Sequence, residues 1–332
     1  MHSAQEVLRI IEMEQATMGR QPGGATRWSM VTDDKTGKGK LVRNVISLPL
    51  YRGQNKHFDL SFPSICRNFH RNASRVADLH PIDYARLFKA LVLNRWFRVE
   101  VAKHPMMMWT RSQNITVDPI AIAQHYGIPT AHVDLSESFA VAAFFATCKF
   151  VEKTGSWEPM TRGEGVIYCV QFTAMDARIS PICYQPFPRP SLQWAWTAEL
   201  RLGENFLHAP MLRALHFKHF RRIGEEMLKR FDGGLKLLPP DPSARLASEM
   251  CASSEVPRIH VEEVESWLAN DPNGLSIEQA GAVRRSLAVS STVQIAYTKE
   301  ELSKADSDWR RNCDSFYSDV SFRCTYPLGD PM

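Results

Sequence analysis

Tyr51, Arg52, Gly53 and Gln54 close a stretch in which apolar and polar residues alternate. An arginine leaving a strand end can aim its planar guanidinium into a cleft, where it suits two-pronged capture of a phosphate or carboxylate. The glycine beside it lets a ligand or another backbone come close. A salt bridge within the scaffold is the other reading of the same residues. His125 and Tyr126 stand just before Gly127, and a histidine ending a helix binds a ligand or satisfies the last carbonyls. Ser136 and Ser138 precede a strongly apolar segment whose small residues Ala140, Ala142, Ala143 and Ala146 let it lie flat on a sheet. Free N–H groups at such a helix start favour an anion or a ribose hydroxyl, although either serine is also an ordinary N-cap. Gln193 and Glu199 are six residues apart on an expected strand, so both should point to one face, where a glutamate is commonly just solvated.

These groups need elements to hold them. Val7, Ile10, Ile11 and Met18 recur at helical spacing in the first ~20 residues, before a break at 20–26. Residues 26–31 and 40–50 read as two strands around a turn-rich segment. Tyr84, Phe88, Leu91, Val92 and Val99 predict a helix over 81–102. Asp118 and Pro119 open a helix over 117–126 that Gly127 stops. A short strand at 131–135 leads to a helix over 138–151. The continuous apolar run 165–172 predicts a strand buried on both faces. Residues 192–202 read as a strand and 210–231 as an amphipathic helix. Composition turns small, polar and acidic after Pro242, which places a boundary near 242–256, with further helices near 261–270, 276–286 and 299–311.

The chain has 332 residues, too many for one minimal domain and few for three. Hydrophobic residues make up 44% and charged residues 23%, which excludes wholesale disorder. The longest apolar runs, such as 139–148, fall short of the ~20 residues a membrane helix needs. No basic segment followed by an apolar block opens the chain, so no secretory signal is expected. Seven cysteines, an odd number without a C-x-x-C pair, point to reduced thiols in a cytoplasmic protein rather than a disulfide framework or structural zinc. A net charge of +4 is compatible with nucleic acid without demanding it. His216 and His219 lie three apart on the expected helix but lack a third metal ligand at sensible spacing. Arg213, Lys218, Arg221, Arg222, Lys229 and Arg230 make that helix basic, as a solvated face or a nucleic-acid surface. Trp194 and Trp196 suit packing or base stacking. No P-loop, dinucleotide-binding glycine motif or serine-hydrolase elbow occurs.

Over residues 45–245 the chain resembles the FRG domain, named for its Phe/Tyr-Arg-Gly start. Tyr51-Arg52-Gly53 matches that start, the stretch 123–146 (AQHYGIPTAHVDLSESFAVAAFFA) its central signature, and Arg189 with Gln193 its Arg-x-x-x-Gln element. The order of motifs is similar to that of ADP-ribosyltransferases. The resemblance implies an α/β fold of the α+β type, with a mixed β-sheet core like the split sheet of those enzymes and flanking helices. Together with the patterning above, it divides the chain into residues 1–40 as an N-terminal helix and first strand, 41–245 as the FRG domain, and 246–332 as a small helical region. It further implies an NAD cleft in which Tyr51, Arg52, Gly53, Gln54, His125, Tyr126, Ser136, Ser138 and Phe144 hold NAD as substrate while Gln193 and Glu199 act in catalysis. Transfer to a nucleic acid or protein acceptor and a role as a bacterial toxin or phage-defence effector follow from the same resemblance, with no membrane partner. The rival reading is a non-catalytic module binding a nucleotide or nucleic acid through the same arginine and the basic helix.

Overall fold

A computed structural model of the chain describes residues 28–32, 37–43, 47–69, 73–173, 178–182, 187–269, 277–317 and 320–325, together with residues 6, 7, 9, 10 and 13. The strands are β1 (Trp28–Thr32), β2 (Gly39–Arg43), β3 (Ser47–Gln54), β4 (His132–Ser136), β5 (Cys148–Val151), β6 (Ser156–Pro159), β7 (Glu164–Thr173), β8 (Ile179–Pro181), β9 (Ala195–Glu199), β10 (Arg213–Lys218), β11 (Glu255–Pro257), β12 (Ala288–Ser290) and β13 (Val320–Thr325). The α-helices are α1 (Pro81–Val101), α2 (Pro105–Ser112), α3 (Pro119–His125), α4 (Phe139–Thr147), α5 (Pro188–Leu192), α6 (Arg221–Arg230), α7 (Pro242–Ala252), α8 (Arg258–Ala269), α9 (Ile277–Ser286) and α10 (Lys299–Tyr317). The expected α/β class holds. Among the described residues no helix is long and apolar enough to cross a membrane.

The central sheet runs β10-β7-β3-β4-β9-β8 and is antiparallel throughout. Strand β3 pairs with β7 along its whole length, from Ser47 opposite Thr173 to Gln54 opposite Val166. On its other side β3 meets β4 at one residue pair, Tyr51 and Ser136. The sheet therefore opens beyond Tyr51, and Arg52 lies at the mouth of the split. Side chains alternate across these strands. Leu50, Leu135, Val166, Tyr168 and Trp196 pack together on one face. On the other, Ile167 and Phe217 pack under the alanines of α4 and under Ile223 and Met227 of α6. Strand β7 is thus buried on both faces, as its unbroken apolar run predicts.

The long helix α1 organises the other half. His80 caps it, its Nδ1 accepting from Ile82 N at 3.4 Å, and Pro81 pre-sets the first turn. Leu93, Trp96, Phe97 and Val101 pack with α3 and with Leu246, Ala247 and Met250 of α7. Tyr84, Phe88 and Val92 pack with Val256, Val261, Val264 and Leu268. The chain beyond residue 245 therefore fills the same clusters as the chain before it.

Several expected elements differ. Residues 40–50 form two strands rather than one, with Pro49 inside β3. The expected helix 138–151 stops at Thr147, and β5 follows, pairing with β6 as a hairpin. Residues 213–218 are strand β10, not the first half of a helix, and the helix begins only at Arg221. Val166 and Ile167 offer a ready sheet edge to that segment, and pairing there overrides its helical spacing. The N-terminal helix is described only at residues 6, 7, 9, 10 and 13, which are helical; Ile11, Met18, the break at 20–26 and the turn at 33–36 lie outside the described residues.

Two predictions follow from this packing. Leu246, Met250, Val256, Val261, Val264 and Leu268 are all buried. At roughly 1.5–3 kcal/mol for each fully buried apolar side chain, removing them costs on the order of 10 kcal/mol, comparable to the ~5–15 kcal/mol net stability of a folded protein. Truncation after Asp241 should therefore abolish cooperative melting; a soluble fragment with a sharp thermal transition would make 41–245 a unit in itself. The second concerns His104, whose Nδ1 caps α2 and whose ring packs 4.8 Å from Phe187 and 5.6 Å from Tyr297. Burial lowers its pKa from the usual 6.5 to about 4. Between these values the unfolded chain binds a proton that the folded chain does not, so this stability is full above pH 6.5 and is lost as pH falls toward 4. The melting temperature should drop across that window, and His104→Gln should show a smaller drop, measured by calorimetry at both ends.

Candidate functional site

The split between β3 and β4 opens into a cavity of about 820 Å³, within the range of roughly 300–1,000 Å³ usual for small-molecule sites. Arg52, Gly53 and Gln54 of β3, Asp134 and Ser136 of β4, His125 at the end of α3 and Gln193 after α5 line it. Phe145 of α4, with Phe150 and Trp157 of the β5–β6 hairpin, forms one wall, and Phe58, Phe62, Arg67 and Phe69 of the loop after β3 form another.

The Tyr-Arg-Gly sequence has a steric reason. A Cβ on Gly53 would overlap the carbonyl oxygen of Ala142 and stand 2.9 Å from the backbone nitrogen of Ala146. Glycine and the alanines of α4 are thus two halves of one close approach. Arg52 reaches across the gap, its Nη1 donating to the Asp134 carbonyl at 3.1 Å, with its guanidinium 6.0 Å from the Phe206 ring centre. Burial lowers the Arg52 pKa, and the nearby Asp134 carboxylate opposes that shift. The Nε of Arg52 is buried without a hydrogen-bond partner. A buried donor left unused is costly unless something anionic or polar meets it.

Behind the arginine lies a chain of oriented side chains. Gln193 Nε2 donates to the Leu237 carbonyl at 2.9 Å, so its Oε1 accepts, and it meets His125 Nδ1 at 3.0 Å. His125 Nε2 lies 3.5 Å from Asp134 Oδ1. Gln124 Nε2 donates to Asp134 Oδ2 at 3.2 Å. Ser136 Oγ donates to the Gln193 carbonyl at 2.7 Å and accepts from Ser138 N at 3.0 Å, tying β4 to the α5 turn. Four atoms around the cavity are buried without partners: Arg52 Nε, Gln54 Oε1, His125 Nε2 and Asp134 Oδ1.

Of the residues expected at a site, Tyr51, Arg52, Gly53, Gln54, His125, Ser136 and Gln193 line this cavity. Tyr126, Ser138, Phe144 and Glu199 are not among its lining residues. The Tyr126 ring is buried beneath the Arg189 guanidinium, 5.1 Å away. Ser138 caps α4, accepting from Val141 N at 3.3 Å. Phe144 is buried behind the wall against Phe145, Trp157 and Phe231. Glu199 is exposed at the end of β9, opposite His132. The expectation that Gln193 and Glu199 share a strand face is corrected: Gln193 caps the short α5, Trp194 turns with a φ of 51°, and β9 starts only at Ala195. Sequence reasoning also missed Asp134. Its signal was parity, because Val133 and Leu135 face the core and Asp134 must face with Ser136. Trp196 is a core residue whose Nε1 donates to Glu137 at 2.8 Å. The His216 ring meets the His57 ring edge-on at 5.0 Å, His219 donates to the Asn55 carbonyl at 2.8 Å, and no metal-binding cluster occurs among the described residues.

The chain carries an FRG domain, whose family model matches residues 48–154. That stretch contains β3, α1 to α4, β4 and most of the wall of the cavity, whereas Gln193 and Leu237 lie beyond it. No curated protein and no solved structure matches the chain.

The close approach at Gly53 yields a prediction. Gly53→Ala drives a methyl into helix backbone, which cannot rotate away, so its cost should reach or exceed the ~1–3 kcal/mol of ordinary overpacking. Thermal unfolding should show a markedly lowered midpoint; an unchanged midpoint would mean that α4 can withdraw from β3.

Proposed function

We propose that the cavity binds an anionic nucleotide, with NAD as the substrate, and that the FRG domain here serves an ADP-ribosyltransferase-like activity. The observation that carries this reading is Arg52: a half-buried arginine whose Nε is buried and unpartnered, at the mouth of a large cavity walled by aromatic side chains. A guanidinium so held suits a diphosphate, which offers oxygens spaced for its fork. Phe145, Phe150 and Trp157 offer flat apolar surface for a ring. Gln54 Oε1, His125 Nε2 and Asp134 Oδ1 supply acceptors for the sugar and base.

A carboxylate inside the cavity favours catalysis over simple binding. Asp134 takes the part that the sequence assigned to Gln193 or Glu199, since Gln193 is neutral and committed to its own bonds and Glu199 is exposed. Its charge is suited to stabilise the positive charge that develops on a ribose when its base departs. Transfer to a nucleic acid or protein acceptor, in a toxin or phage-defence setting, is the family expectation attached to this chemistry.

Calorimetry with NAD tests the binding. Arg52→Ala and Arg52→Lys should each weaken it at least tenfold, because lysine restores the charge and not the fork. Each also breaks the Arg52 tie to the Asp134 carbonyl, a single hydrogen bond of about 1 kcal/mol, so the melting temperature should fall by no more than roughly 4 °C. Mass spectrometry should find free nicotinamide with the wild-type protein and none with Asp134→Asn. Equal NAD affinity in wild type and Arg52→Ala would overturn the reading.

A further inference from the structure

The Gln193 amide has only one orientation that satisfies both of its neighbours. Its Nε2 must donate to the Leu237 carbonyl, which can only accept, so Oε1 faces His125 Nδ1 and that nitrogen must carry the proton. His125 is buried, so the ring has little freedom to turn elsewhere. In the neutral ring the lone pair then sits on Nε2, 3.5 Å from Asp134 Oδ1. Both atoms are buried and unpartnered. Two acceptors held side by side repel unless hydrogen from elsewhere meets them, and leaving them bare costs free energy.

We propose that His125 Nε2 and Asp134 Oδ1 form a paired acceptor for a ligand group that presents two hydrogens, and that Gln193 is the positioning residue that turns the imidazole lone pair into the cavity. Two chemistries offer such a group on a nucleotide: the vicinal hydroxyls of a ribose and the amino group of a carboxamide. The pair complements Arg52, so the site recognises a ligand that is anionic at one end and rich in hydrogen-bond donors at the other. Only the choice of probes rests on the NAD reading.

The test is long-range 1H–15N NMR of the full-length protein, with His125 assigned by His125→Gln. The wild-type ring should carry its proton on Nδ1 and none on Nε2. Titration with ribose 5-phosphate should shift the His125 Nε2 resonance, and 2-deoxyribose 5-phosphate should bind at least tenfold more weakly if the sugar is the donor. A response to nicotinamide instead would assign the carboxamide. Asp134→Asn should weaken the responding probe at least tenfold. Gln193→Leu should lose the fixed tautomer and the response together, while leaving the affinity for inorganic pyrophosphate, which offers no hydroxyl of this kind, unchanged. A proton on Nε2 in the wild type, or silence toward both donors, would overturn the proposal. Failure of NAD to bind in calorimetry, with the ribose phosphate response intact, would remove the NAD reading and leave this one standing.

Discussion

One missing stretch of ladder governs this molecule. Strands β3 and β4 are neighbours in the sheet yet pair only at Tyr51 and Ser136. A sheet ordinarily satisfies its backbone groups along the whole edge, so the interruption has to be supported from elsewhere. The support is Arg52, whose side chain reaches the Asp134 carbonyl where a strand partner would otherwise have been. On one face of the sheet, Gly53 lets α4 settle against β3 closely enough to hold that strand in place while its edge toward β4 is open. Cavity, arginine and glycine are consequences of the same opening.

Polar organisation inside the opening follows a division of labour. The cation sits on β3 and the carboxylate on β4, so the two sides of the split carry opposite charge. At the end of α3, Gln124 donates to one oxygen of the Asp134 carboxylate, and His125 beside it places its Nε2 3.5 Å from the other. Gln193, delivered by the turn after α5, connects that arrangement to the backbone at Leu237. Farther out, Arg189 and Asp241 approach within 3.8 Å beside Tyr126, and burial raises the Asp241 pKa while Arg189 opposes it. Asp241 also caps α7, so the support behind the cavity runs directly into the C-terminal helices.

Much of this was legible in the residues. The period of α1, the cap and stop of α3, the apolar run of β7 and the small face of α4 each reflect a local rule, and each lies where that rule predicts. The Tyr-Arg-Gly and Gln-His-x-Gly segments were legible as candidates because an arginine leaving a strand end and a histidine ending a helix can both face a cleft, and both line the cavity. The failures share one cause. Residues 213–218 have helical spacing, and only the edge of β7, some fifty residues away, makes them a strand. Gln193 reads as a strand residue because the turn at Trp194 depends on packing rather than on a glycine. Asp134 looked like one more polar residue until the gap beside it was visible. In each case the deciding partner is distant in the chain; for Asp134, parity within the window gives the face but not the gap beside it.

The origin of the lining residues has a temporal consequence. Arg52, His125, Asp134 and Gln193 enter one cavity from points spread over more than a hundred residues, and the Leu237 carbonyl that orients Gln193 comes later still. Contacts so remote in sequence form late and slowly. During translation Arg52 leaves the ribosome long before the amide and carbonyl that complete its surroundings, and α1 waits for α7 to α9 to cover it. A half-made chain therefore has the arginine without the site. The cavity is incomplete until the segment carrying Gln193 and Leu237 has emerged, so the order of synthesis itself delays assembly of the site.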